Sequence, residues 1–195
     1  MALRLTMDEA ADRLVAVEGR ALVGVDGLPC AGKSTLGDLV LAKRAAEVIC
    51  LDDFVRPETD WPSHDQPAYP FEYIRYEEFI DVVRGVAERK PTLLRPFDWT
   101  TGHTSDAPRI IEGTGLVIVE GVSALAPVLS PLYDIRIFVD SDRASVLAAA
   151  STRGLGPWPR KWETLFLPSA DLYMATRPQD RADWIVAGRG AVLRV

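Results

Sequence analysis

An apolar run, Ala21-Leu22-Val23-Gly24-Val25, leads into Gly27-Leu28-Pro29-Cys30-Ala31-Gly32-Lys33-Ser34, and from Thr35 to Lys43 apolar residues recur at helical spacing. A buried strand that runs through a glycine-rich turn into a helix leaves a chain few folds to choose from. The glycines let backbone N–H groups curl around an anion, and the new helix aims its positive end at the same point. In that frame the Lys33 ammonium reaches the β- and γ-phosphates of a nucleoside triphosphate and the Ser34 hydroxyl holds Mg²⁺, with Thr35 extending the loop. Cys30 stands where the pattern accepts any residue. No Asn-Lys-x-Asp run, the usual guanine-reading element, occurs in the chain, so ATP is the default donor.

Four further apolar runs are candidate strands: Val48-Ile49-Cys50-Leu51, Leu116-Val117-Ile118-Val119, Ile135-Arg136-Ile137-Phe138-Val139 and Trp184-Ile185-Val186-Ala187. Helical spacing fills the intervals. Thr6-Met7-Asp8-Glu9 reads as a capping box opening a helix within residues 1–19, Tyr76 to Ala87 is amphipathic, and Arg143 to Ser151 is helical. Gly154 to Pro159 breaks that last helix, which can resume from Lys161 to Leu167. Strands alternating with helices predict an α/β fold, a doubly wound and mainly parallel sheet of about five strands with helices on both faces. Ligands of such sheets sit beyond the carboxyl ends of the strands. Gly27 onward, Asp52 with Asp53, Glu120 and Asp140 all fall at those ends, which predicts one cleft. The long loop from Pro57 to Pro70 carries Trp61, His64 and Tyr69 and is expected to be ordered and to face a ligand.

Composition removes several function classes. At 195 residues, 48% apolar and 26% charged, the chain is expected to form one domain over 1–195. A net charge of −6 argues against nucleic-acid binding, which wants a basic face. No apolar run approaches the roughly eighteen residues that a membrane span needs. The acids Asp8, Glu9, Asp12 and Glu18 are unlike a signal peptide, and two cysteines make no disulfide framework, so the cytoplasm is the expected compartment. A homo-oligomer is left open.

Glu120, after four apolar residues, is where an acid that orients Mg²⁺ is expected; the plainer reading is a cap for the next segment. Asp52 and Asp53 lie where an acid could orient an acceptor hydroxyl and take its proton, or could merely cap a turn. Asp140 is read as the cap of the helix near Ser141. Trp61, Tyr69, Phe71, Trp99 and Trp158 are candidates for an aromatic wall around a ring-bearing substrate, with Phe71 assigned to the core instead.

The order Gly27 to Thr35, Asp52-Asp53-Phe54, Asp65-Gln66-Pro67, Phe97-Asp98, Val119-Glu120-Gly121 and Ala182-Asp183-Trp184-Ile185-Val186 resembles the uridine kinase and phosphoribulokinase superfamily of P-loop kinases. The run Asp53-Phe54-Val55-Arg56-Pro57-Glu58 is most similar to nicotinamide riboside kinases. This resemblance implies a P-loop NTPase fold with a short lid over 141–162, and an ATP- and Mg²⁺-dependent kinase acting on a hydroxyl of a nucleoside-like acceptor. It implies Asp52 as general base beside Lys33, Asp65 and Asp53 on the acceptor, and Phe97 where the family has a Tyr that packs on the acceptor's ring. Trp99, His103 and Tyr69 join that substrate-binding set. The lid usually carries several arginines over the phosphates; here Ala148-Ala149-Ala150 stand among them, and Arg153 and Arg160 are the lid candidates, while Arg143 can simply start a helix. Pantothenate or a sugar as acceptor, or a weakly catalytic nucleotide-binding switch, are the alternatives on the same fold.

Overall fold

The main strands form where mostly apolar runs lead into turn formers or acids. The computed structural model describes residues 2–64, 66–154 and 158–191. In chain order it contains β1 (Leu3–Leu5), α1 (Met7–Val15), β2 (Ala21–Gly27), α2 (Lys33–Leu41), β3 (Glu47–Cys50), α3 (Tyr76–Ala87), β4 (Thr92–Leu94), β5 (Phe97–Asp98), β6 (His103–Thr104), β7 (Arg109–Ile111), β8 (Leu116–Glu120), β9 (Ile135–Asp140), α4 (Arg143–Arg153), α5 (Pro159–Lys161), a π-helical turn (Trp162–Phe166), α6 (Leu167–Met174) and β10 (Trp184–Ala187). Six strands form a parallel sheet in the order β1-β10-β9-β2-β8-β3. Every residue of the central strands β2 and β8 is buried, as a sheet covered on both faces requires.

Alternation along those strands divides the core in two. Leu22, Val117 and Val119 face α3 and α6, where Phe79, Val82, Val83, Val86 and Tyr173 meet them. Val23, Val25, Leu116 and Ile118 face α1 and α2, packing on Ala10, Leu14, Leu36 and Val40. Two antiparallel ribbons, β4 with β7 and β5 with β6, stand outside the sheet. Among the described residues no helix is long and apolar enough to cross a membrane.

The sheet has six strands rather than five because Leu3–Leu5 pairs in parallel with β10. Only Leu5 of that strand is buried, so no alternation marks it in the sequence. The capping box behind it forms as expected: the Thr6 hydroxyl accepts from the Glu9 N–H at 3.2 Å and the Glu9 carboxylate accepts from the Thr6 N–H at 2.8 Å. Helix α3 coincides with its predicted span. Helix α2 starts at Lys33, two residues earlier than expected, because Gly32 at φ 114° serves as its N-cap. The cap of α4 is Asp142, not Asp140: its carboxylate accepts from the Ser145 N–H at 2.8 Å, leaving Asp140 as the last residue of β9.

Candidate active site

The glycine-rich turn is built by backbone need. A Cβ at Gly27 would lie 2.6 Å from the Val139 carbonyl oxygen of the neighbouring strand, so no side chain fits there. Cys30 sits at φ 59°, in the left-handed region. The expectation that any residue suits that place is therefore too broad, since β-branched residues are strained there. Lys33 is buried, and its ammonium donates to the carbonyl oxygens of Gly27 (3.2 Å) and Leu28 (2.8 Å), so the lysine is held inside the turn it serves. Ser34, at the first turn of α2, donates through its hydroxyl to the Glu120 carboxylate at the end of β8, at 2.9 Å. The Cys50 thiol donates to the same carboxylate oxygen at 3.2 Å. Burial, and then the negative charges of Asp52 and Glu120, push the Cys50 thiol well above its usual range, which keeps it a donor.

The acidic pair is divided by the 3₁₀ turn Leu51–Phe54 that follows β3. Asp52 lines the cleft with Lys33, Ser34, Thr35 and Glu120. Asp53 turns the other way, where its carboxylate accepts from Arg109 of β7 at 3.2 Å and its carbonyl accepts from Arg75 at 2.8 Å. Burial raises the Asp53 pKa, and the Arg109 charge works against that rise. The two neighbours thus do different work: Asp53 ties the outer ribbon to the sheet, and Asp52 faces the open space.

That space is a cleft of about 560 Å³, within the range of ordinary small-molecule sites. One half is lined by Pro29 to Thr35 with Glu120; the other is largely aromatic, with Trp61, Tyr73, Trp99, Trp158 and Phe166. Trp61 lies 4.7 Å from Trp158 and 5.8 Å from Phe166 between ring centres, and Trp99 lies 6.0 Å from Trp158. The Trp158 indole N–H donates to the Glu58 carboxylate at 2.8 Å, which fastens the segment before α5 to the loop after β3. Lys161 sits 5.0 Å above the Trp61 ring.

Other predicted site residues fall elsewhere. Phe97 is buried behind Trp99, at 5.0 Å between ring centres, and supports the wall instead of facing the cleft. His103 pairs with Asp98 across the β5–β6 ribbon and is exposed, away from the cleft lining. Tyr69 packs on Tyr173 at 4.9 Å, with its hydroxyl 3.3 Å from that of Tyr76, and does not line the cleft. Phe71 is buried, as assigned, and touches the cleft edge. Arg160 is exposed and does not line the cleft, Arg143 pairs with Asp171 of α6, and Asp65 and the Arg153 side chain lie outside the described residues. On the lid the expected arginines therefore do not converge on the phosphate loop among the described residues.

Two residues that the motifs do not point to matter here. Asp26, fully buried between Val25 and Gly27, accepts from the backbone N–H groups of Gly27 (2.6 Å), Ser123 (3.2 Å) and Leu125 (2.7 Å), and from the Tyr173 hydroxyl. Burial raises its pKa, with those donors and Lys33 pulling the other way. An acid inside an apolar strand is its only signal in the sequence. Arg189, after β10, lines the cleft beside Cys30 and had no such signal.

A solved structure with this architecture is a candidate uridine kinase from Bacillus stearothermophilus, at TM-score 0.71 and 20% identity, covering 92% of this chain and 96% of that one. The chain has the fold of the uridine kinase-like P-loop kinases. A candidate fructose transport system kinase from Silicibacter sp. TM1040 shares it at TM-score 0.58 and 20% identity, covering 93% of this chain and 98% of that one. No protein-family model and no curated protein matches the sequence. On the uridine kinase-like fold the phosphate loop, Asp52 and the aromatic wall of this chain occupy one cleft.

Proposed function

We propose that the protein is an ATP- and Mg²⁺-dependent kinase, one domain over 1–195, that phosphorylates a hydroxyl of a nucleoside-like small molecule. The observation that carries this reading is the opening of Asp52 into the same cleft as Lys33 and the Ser34–Glu120 pair, opposite a wall of indole and phenyl rings. A switch protein needs the phosphate loop but not a carboxylate facing an acceptor-sized space.

The donor set fits the groups this chemistry requires. Ser34 and Glu120 present hard oxygens 2.9 Å apart, the kind Mg²⁺ prefers. Among the described residues no group of three or more His, Cys, Asp or Glu side chains could hold a metal. Mg²⁺ is commonly bound through one or two protein oxygens and otherwise through phosphate and water. When bound, Mg²⁺ neutralises charge on the β- and γ-phosphate oxygens.

The chain's own residues do the rest. Asp52 accepts the proton of the acceptor hydroxyl as its oxygen bonds to the γ-phosphorus; the bond from that phosphorus to the β,γ-bridging oxygen breaks, and ADP leaves. Lys33, already fixed inside the loop, meets the charge that develops on the moving phosphoryl group. The aromatic wall would hold a flat ring by stacking and keep water from the hydroxyl, which favours a nucleoside-like acceptor over a free sugar. Two free cysteines fit a cytoplasmic setting.

The test is a phosphotransfer assay over nucleosides, vitamins including pantothenate, and free sugars, with wild type and Asp52→Asn. A nucleoside-like compound is expected to give turnover, and Asp52→Asn to lose it by about 10²–10⁴-fold while MgATP affinity holds. If ATP binds but no hydroxyl compound is phosphorylated, the kinase reading fails and the switch reading takes its place.

A further inference from the structure

The loop after β10 is stitched to the back of the phosphate loop. The Arg189 N–H reaches the Ala31 carbonyl oxygen (3.3 Å) and the Ser141 hydroxyl (3.1 Å), and that hydroxyl donates to the same carbonyl at 3.1 Å. The Gly188 N–H donates to the Asp140 carbonyl (2.7 Å), and the Asp142 N–H donates to the Arg189 carbonyl (2.9 Å). The fit is close. A Cβ on Gly188 would lie 2.6 Å from the Ala31 carbonyl oxygen and 2.8 Å from that of Asp140. These bonds hold the Ala31 carbonyl, and with it the planar Ala31–Gly32 peptide, in one orientation.

The Arg189 side chain continues the same brace. Its Nε donates to the Cys30 carbonyl at 2.9 Å, which places the guanidinium against the phosphate loop at the cleft rim. Among the described residues no hydrogen bond or ion pair engages its two terminal nitrogens. Among the described residues, Lys33 is enclosed by the loop, Lys161 lies over the Trp61 ring, Arg143 is paired with Asp171, and Arg160 lies off the cleft. The cleft also carries the carboxylates of Asp52 and Glu120, beside which a cation at the loop favours an entering polyphosphate.

Resting on the kinase reading above, we propose that Arg189 is a donor-binding residue: anchored through Nε to Cys30, it presents its two terminal nitrogens to the phosphates of the nucleotide. It supplies from the loop after β10 a cation beside the loop that, among the described residues, Arg143 and Arg160 do not bring there. A fork held by one arm is pre-oriented for phosphate oxygens, which a lysine's point charge is not.

Titration calorimetry of wild type, Arg189→Ala and Arg189→Lys with MgATP and, separately, with magnesium tripolyphosphate tests this, each variant's thermal midpoint serving as the check on folding. Arg189→Ala is expected to weaken both ligands about tenfold or more and to flatten the salt dependence of binding, with Arg189→Lys between it and wild type and midpoints unchanged. Arg189→Ala binding both ligands within twofold of wild type overturns the proposal. So does a loss confined to MgATP, which would move the contact to the nucleoside. If wild type binds neither probe, the kinase reading itself falls; if wild type binds both and Arg189→Ala is unimpaired, only the role of Arg189 does.

Discussion

Asp26, next to last in β2, and Asp52, in the turn after β3, have surroundings that give them opposite tasks. Asp52 opens to the cleft, whereas Asp26 is enclosed and spends every lone pair on the molecule's own donors: three backbone N–H groups and the Tyr173 hydroxyl. Replacing Asp26 by Asn turns an NH₂ group toward one side of this ring of donors, leaving at least one buried backbone N–H unpaired. We expect Asp26→Asn to lower stability by roughly 1–3 kcal/mol in urea denaturation, and Tyr173→Phe, which removes one donor from an acceptor that keeps three, to cost less. Equal stability of Asp26→Asn and wild type would mean that these bonds hold nothing. The same contrast explains Asp53: one peptide along the 3₁₀ turn is enough to send its carboxylate to Arg109 and away from the acceptor space.

At the scale of elements, β10 is positioned by more than its ladder. Arg136 of β9 meets Asp183, just before β10, through both arms of its guanidinium at 2.9 and 2.7 Å, and the Asp183 carboxylate also accepts the Arg136 N–H at 2.9 Å. These bonds, the side-chain one foremost, hold the Asp183 pKa below the ordinary aspartate value of 3.8. A lowered carboxylate pKa contributes stability that is present above the unfolded value and is lost as pH falls through the folded one. Wild type should therefore exceed Asp183→Asn in thermal stability at neutral pH, by no more than about 1 kcal/mol because the pair is partly open to water, and the gap should close below pH ~4. A gap that stays constant across that window would show that the carboxylate charge is not what the pair contributes. Since β10 carries the Gly188–Arg189 brace behind it, this pairing reaches the phosphate loop through one strand.

Across the whole molecule, two core layers press on one sheet whose carboxyl ends form a single cleft, so a ligand there contacts segments far apart in sequence. A nucleotide that binds only the folded form at a hundredfold excess over its Kd adds about 2.7 kcal/mol, which for a chain of this size raises the melting midpoint by roughly 5–11 °C. Differential scanning fluorimetry with MgATP should find a shift of that order, growing with concentration; a flat midpoint would remove the basis for nucleotide binding altogether.

The phosphate loop and the α/β frame were legible in the sequence because each depends on neighbours in the chain. Gly32 answers to a local backbone angle, the capping box spans Thr6 to Glu9, and β8 declares itself as an aliphatic run ending in Glu120. The donor half of the site was legible for the same reason. Its other half was legible only in part: Asp52, Trp61, Trp99 and Trp158 line the cleft as expected, whereas Tyr69, Phe97 and His103 do not. Cys30 meets Arg189 across 159 positions, Asp26 meets Tyr173 across 147, and Glu58 meets Trp158 across 100, and no spacing rule reports contacts of that kind. Which of two adjacent aspartates faces the cleft, which aromatic residues line it and which merely support them, and which arginine stands beside the phosphates are all consequences of packing. Local residue pattern is sufficient where the backbone must adopt one conformation, and tertiary structure decides wherever a side chain has a choice of neighbours.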